Sequence, residues 1–243
     1  MIEQLKNVLE DMAISYDEKK DGQFAGYMDG ILEWNQHVNL TAIKDREEFL
    51  EKHYIDSLLC AGSSEFQRSE TIIDVGTGGG FPGVPLAIAF PEKQFTLMDS
   101  LNKRIRIIQQ LCEELGIHNV TAIHGRAEEL GRKKDLRESF DVCVSRAVAN
   151  MSTLSEYCLP FVKVGGCFIA YKGPDCEEEL LAAENAIDKL GGSIARRENF
   201  ASLGVRESSG SELEHQLIFV LKNKPTRSKF PRKPGTPAKE PIK

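Results

Sequence analysis

The sequence predicts an α/β fold: a mainly parallel sheet with helices on both faces, set behind an N-terminal helical cap. Three observations predict it. From Thr71 onward, short apolar runs alternate with helical periods, the pattern of a wound parallel sheet. A strand-like IIDV at 72–75 runs directly into GTGGGFPG at 76–83 and then into a helical stretch, the strand, glycine turn and helix order of a nucleotide-binding site. The first 65 residues carry their apolar side chains at helical spacing. With 41% hydrophobic residues over 243 positions, the chain has enough core to fold without disulfide staples. The expected organisation is a cap over residues 1–65, a ligand-binding domain over 66–221 and a basic, proline-rich tail over 222–243.

In the cap, Ile2, Leu5, Val8, Leu9 and Met12 form one helical stripe, and Phe24, Tyr27, Met28, Ile31, Leu32 and Trp34 a second. A third helix is predicted from Asp45, with Glu47 and Glu48 in its first turn and Phe49, Leu50, Tyr54, Leu58 and Leu59 on its buried face. The polar run at 62–69 reads as a linker. Strands then follow at TIIDV, QFTLMD, NVTAIH, FDVCVS and CFIAYK, with last strands near 193–200 and 215–221. Of the intervening helices, 101–115 is the clearest, with Leu101, Ile105, Ile108, Leu111, Cys112 and Leu115 every three or four residues.

Composition excludes several classes. The N-terminus has three acids in its first eleven residues and no apolar run of the signal-peptide kind. No apolar run approaches the roughly 20 residues of a spanning helix, and the best candidate is broken by Pro82, Pro85 and Pro91. The six cysteines never form C-x-x-C and read as reduced thiols of a cytoplasmic protein; Cys143, inside a strand, reads as core. The five histidines are scattered, so no metal is expected. Trp34 reads as core, and His53 with Asp56 as a helix-surface pair with a minor case for facing the substrate.

The net charge of −6 is unevenly spread. Residues 222–243 hold eight Lys or Arg against Glu240, leaving −13 on the rest. Pro225, Pro231, Pro234, Pro237 and Pro241 fall in the same stretch, which predicts an extended, mobile arm. The arm suits nucleic-acid phosphates or serves only as a solvated tail, and composition alone leaves both open.

The glycine turn admits two cofactor classes, because Gly78, Gly80 and Gly83 also satisfy G-x-G-x-x-G. Three observations favour S-adenosylmethionine over a dinucleotide. Asp74 lies two residues before Gly76, where a carboxylate suits a methionine amino group and opposes a pyrophosphate. Phe81 and Pro82 obstruct the close helix packing a dinucleotide needs, and one wound sheet leaves no second domain for dehydrogenase chemistry. Asp99 closes the second strand, 25 residues after Asp74, where an acid accepts from ribose hydroxyls.

The stretches DVGTGGGFPG, LMDSLNKR, GRAEEL at 125–130, SRAVA at 145–149 and LPFVKVGGCFIAYKG at 159–173 together resemble the bacterial RsmG (GidB) family. WNQHVNLTAI at 34–43 and FPRKPGTPAKEPI at 230–242 extend the resemblance to nearly the whole chain. It implies a Rossmann-like class I S-adenosylmethionine-dependent methyltransferase acting on N7 of a guanine in 16S ribosomal RNA, presented by the small ribosomal subunit or its precursor. Carried over residue by residue, it implies Gly76, Gly78, Gly80 and Phe81 beside the methionine part and Asp74 close by. Asp99 would take the ribose, Ala127 and Glu128 the adenine, and Arg146 would stand near the cofactor and the incoming base or a phosphate. A monomer is expected.

Guanine N7 carries a free lone pair, so attack needs no proton removed, and no catalytic base is expected; the enzyme's task is positioning. The absence of an NPPY-type motif and of a Pro-Cys pair fits this. The alternatives are a non-catalytic RNA-binding assembly factor and, further off, a nicotinamide-dependent oxidoreductase. For RNA, the basic groups on offer are Lys103, Arg104 and Arg106, then Arg132, Lys133, Lys134 and Arg137, and the tail. Truncation after Leu221 is expected to impair RNA association and spare the cofactor.

Overall fold

The computed structural model describes residues 2–146, 148–198 and 215–243. The cap begins with α1 (Ile2–Asp11) and α2 (Glu18–Trp34), the latter capped by the Asp17 side chain, which accepts from Lys20 N. Next comes α3 (Arg46–Phe49), started by Asp45 accepting from the amides of Glu47 and Glu48 at 2.9 Å. It runs through a π-helical turn (Leu50–Ile55) into α4 (Asp56–Leu58). Phe49, Leu50, Tyr54 and Ile55 are buried along this stretch. The run read as a linker is instead folded: Ser63 caps α5 (Ser64–Arg68), and its Phe66 is fully buried.

The sheet follows as β1 (Thr71–Val75), α6 (Gly83–Ala89), β2 (Gln94–Asp99), α7 (Asn102–Glu114), β3 (Val120–His124), α8 (Ala127–Leu130), β4 (Phe140–Arg146), α9 (Met151–Cys158), β5 (Val162–Lys172), α10 (Glu177–Lys189), β6 (Gly192–Glu198) and β7 (Gln216–Lys222). Its order is β3-β2-β1-β4-β5-β7-β6, with β7 antiparallel to both neighbours and the other pairings parallel. The last two positions of the strand expected at 193–200 lie outside the described residues. Side chains alternate between two cores. Ile72 faces the cap, α6 and α7, while Ile73 faces α9 and α10. Trp34 packs on the first core, and Cys143 is buried in the second. Leu101, counted in the α7 stripe, is instead the exposed residue preceding the helix.

The mobile-arm expectation is overturned. Residues 222–243 are strapped across the second core and end in a one-turn helix, α11 (Thr236–Lys239). Lys222 is buried, donating to Leu159 O at 2.6 Å and Thr226 Oγ1 at 2.7 Å beside Glu138; burial brings its pKa down to about 8. Arg137 donates to the carbonyls of Thr226 and Phe230, and Arg232 grips the fully buried Glu156 with two nitrogens. Phe230 and Ile242 fill the second core, and Thr153 Oγ1 donates to Pro237 O. Proline limits regular structure in this segment to the single turn of α11, which starts at Thr236 and Pro237, and the apolar anchors between the charges secure it to the body. No helix among the described residues is long and apolar enough to cross a membrane.

Candidate functional site

β1 ends in a turn that only glycine accommodates at two points. Gly76 has φ +76°, and a Cβ there would lie 2.6 Å from Val148 Cγ2; Gly80 has φ +92°, and a Cβ would lie 2.2 Å from Tyr27 Oη. The amides of Gly76 and Thr77 donate to Met98 O at 2.9 and 3.0 Å, tying the turn to β2. Beneath it, Asp74 Oδ2 accepts from Thr77 Oγ1 at 2.6 Å and from Gly83 N, at the start of α6, at 2.9 Å. Asp74 is fully buried and its Oδ1 has no hydrogen-bond partner among the described residues. Burial pushes its pKa up to about 7, against the pull of the Thr77 and Gly83 hydrogen bonds.

The turn opens onto a cavity of about 310 Å³ lined by Gly76, Asp99, Ser100, Arg126, Glu128 and Val148, with Ala127 and Tyr157 among the other walls. It sits beyond the C-terminal ends of the parallel strands, where the order turns from β1-β2-β3 to β4-β5, the crevice in which open α/β sheets bind ligands. Asp99 is 5% exposed. Its Oδ1 accepts from Leu101 N at 2.8 Å and its Oδ2 from Gly78 N at 3.0 Å, with Arg104 Nη1 at 3.5 Å. The amides and the guanidinium fix the carboxylate, and Oδ1, with one donor, keeps a lone pair for a further one. Glu128 is also held, accepting from Gly235 N of the strap at 2.8 Å.

Across the turn lies a closed polar cluster. Arg146, at the end of β4, donates to Asp56 Oδ2 at 2.5 Å, Lys52 O at 2.8 Å and His53 Nδ1 at 3.0 Å. Because the guanidinium can only donate, His53 Nδ1 is the acceptor, and Nε2 carries the proton that is donated to Thr41 Oγ1 at 2.6 Å. The imidazole stacks on Phe81 at 4.2 Å with 6° between planes. Burial and then the Arg146 charge bring its pKa down to about 3. Asp56 is fully buried; burial favours its neutral form, but hydrogen bonds and charge from His215 and Arg146 outweigh this and lower its pKa.

Four of the nine predicted residues therefore line the cavity: Gly76, Asp99, Ala127 and Glu128. Gly78 stands behind Asp99 as a donor, and Gly80 packs on Tyr27. Asp74, Phe81 and Arg146 are turned away from it, toward α6 and the cap, because Gly83 N, the His53 ring and Asp56 engage them there. His53 and Asp56 both engage Arg146. Sequence reasoning missed Ser100, Arg126, Val148 and Tyr157 as walls. The first three directly follow or lie just past the ends of β2, β3 and β4, and that position was the available signal.

Residues 20–202 match the family described as GidB, rRNA small subunit methyltransferase G. A curated relative from Alkaliphilus metalliredigens, named ribosomal RNA small subunit methyltransferase G, is 46% identical over 239 residues, 98% of each chain. Among solved structures, a putative O-methyltransferase from Klebsiella pneumoniae matches with TM-score 0.55 at 14% identity, over 90% of this chain and 96% of that one. M. jannaschii TYW2, solved in complex with AdoMet, matches with TM-score 0.52 at 15% identity, over 74% of this chain and 77% of that one. At such identities the two structures speak for the fold alone, a Rossmann-like methyltransferase fold.

Proposed function

The chain belongs to the rRNA small subunit methyltransferase G family, and from that premise we propose that it methylates N7 of a guanine in small-subunit (16S) ribosomal RNA with S-adenosylmethionine, in the cytoplasm. The observation that carries the reading is Asp99 at the mouth of the switch-point crevice. Its carboxylate is pinned by two backbone amides, with Arg104 on Oδ2, and keeps a lone pair on Oδ1 for a ribose hydroxyl. The cavity volume lies at the lower end of the range for small-molecule sites, and the bare Gly76 lets backbone meet ligand where Val148 leaves no room for a side chain. Asp99 would hold the ribose, Gly76 and Gly78 the adjoining chain, and Ala127 and Glu128 the adenine edge.

S-adenosylmethionine supplies an electrophilic methyl group on sulfonium sulfur. The protein's part is alignment for an in-line displacement, since N7 attacks with a lone pair that needs no deprotonation. The dinucleotide reading is disfavoured by Asp74, because its carboxylate already accepts the Gly83 amide that a pyrophosphate would need at the start of α6.

The test is transfer of labelled methyl from S-adenosylmethionine to purified small and large ribosomal subunits and their naked RNAs, with nucleoside identification. Label in 7-methylguanosine from small-subunit samples alone is the expected result. Cofactor binding with no transfer to any of them would favour the assembly-factor alternative.

A further inference from the structure

Apart from Lys222, which is buried, and Arg232, which grips Glu156, the strap's docking leaves its lysines and arginines outward in fixed positions. Arg132, on the loop after α8, donates to the carbonyls of Ser228 at 3.4 Å and Lys229 at 3.1 Å, so strap and loop run side by side. Lys133 and Lys134 on the loop and Arg227, Lys229 and Lys233 on the strap are exposed. The exposed acids on these segments are Glu129, Asp135 and Glu240, so cations prevail. The band also reaches the cavity, because Arg126 and Glu128 line it and Glu128 holds Gly235. Everything before residue 222 carries net −13 and repels polyanions at range.

We propose that the strap and the loop after α8 form one phosphate-binding band that grips the RNA backbone beside the target base and leads it to the cavity mouth. The proposal rests on the reading of the chain as an RNA methyltransferase and names the surface that reading requires. The charges lie on a backbone secured by Phe230, Ile242 and the Arg232–Glu156 pair, so less freedom is lost on binding than with a mobile arm.

The experiment compares a K133Q/K229Q/K233Q variant with a charge-matched K6Q/K19Q/R68Q variant on α1, α2 and α5. Binding to purified small subunits and naked 16S RNA is measured across a salt series, alongside methyl transfer and S-adenosylmethionine titration. The band variant should bind RNA at least tenfold more weakly, with KM for RNA raised to match and cofactor affinity unchanged. Its log–log salt slope should be shallower by roughly 2, at about 0.7 per phosphate contact on single strands. The matched variant should behave as wild type. Equal slopes and affinities for the two variants would overturn the band, as would wild-type protein that binds neither RNA. Should the triple variant fail to fold, K133Q and K229Q singly, each expected to lower the slope by about 0.7, decide the same question. Failure of the activity reading looks different: band-dependent RNA binding with no methyl transfer by wild type would remove the reaction and leave the band.

Discussion

The two sides of the glycine turn use similar residues to opposite ends. On the cavity side, Asp99 takes its two short hydrogen bonds from backbone amides, at 2.8 and 3.0 Å, with Arg104 more distant at 3.5 Å, and Oδ1 retains capacity for a ligand. On the cap side, Arg146, His53 and Asp56 share theirs mainly with one another, with Thr41 and with His215, Arg146 also donating to Lys52 O, and Phe81 stacks on the His53 ring. A polar group held by backbone is oriented yet available; one held by other side chains is already satisfied. The cap-side residues fix the end of β4 and the start of α6, whereas the cavity-side residues line the open crevice.

The largest effect that would sharpen this contrast is expected from Arg146→Met. It leaves the fully buried Asp56 without its guanidinium and should cost about 3–5 kcal/mol of stability in denaturant unfolding. Wild-type stability combined with lost transfer would instead move Arg146 to the substrate's side of the turn. Next, Asp99→Ala should weaken S-adenosylmethionine by about 1.5–3 kcal/mol in calorimetric titration, and unchanged affinity would erase the distinction.

The third prediction concerns pH. Asp74 has a pKa of about 7 in the folded chain against 3.8 for the ordinary group, so between these values the native state holds a proton the unfolded state has lost. Its contribution is full below about pH 4 and declines as pH rises to about 7, by up to about 1.4 kcal/mol per unit. Asp74→Asn should remove that slope, seen as unfolding midpoints measured from pH 4 to 7; an unaltered slope would mean the charge is accommodated beneath the turn. The smallest effect belongs to Glu128→Ala. Loss of the acceptor for Gly235 N should cost about 1 kcal/mol of stability and loosen the strap, read as faster amide exchange over 232–239.

Much of this was legible in the chain. The succession of strands and helices followed from alternating runs, the start of α3 from Asp45 and two following acids, and the crevice from glycines between strand and helix. The cap-side cluster was not legible, since Arg146 finds Asp56 ninety residues away and no local pattern reports such a meeting. His53 and Asp56 read as a commonplace i, i+3 surface pair because periodicity says nothing about what covers a helix face, and here β4 covers it. The strap was misread for a different reason. Charge and proline dominate its composition, yet Phe230, Pro231, Pro237 and Ile242 between them are buried or nearly so. A segment averaged over its length hides anchors spaced along it, and truncation after Leu221 would remove core as well as charge.

The strap also imposes an order of assembly. Residues 223–243 are synthesised after the last strand, and they carry Phe230 and Ile242 of the second core, so a domain that folds as a unit is incomplete without them. Until the strap emerges, Glu156 at 0% exposure in the finished fold lacks Arg232, and Glu128 lacks Gly235. Completion of the cavity wall at Glu128 and of the buried pair at Glu156 therefore waits on the strap's synthesis.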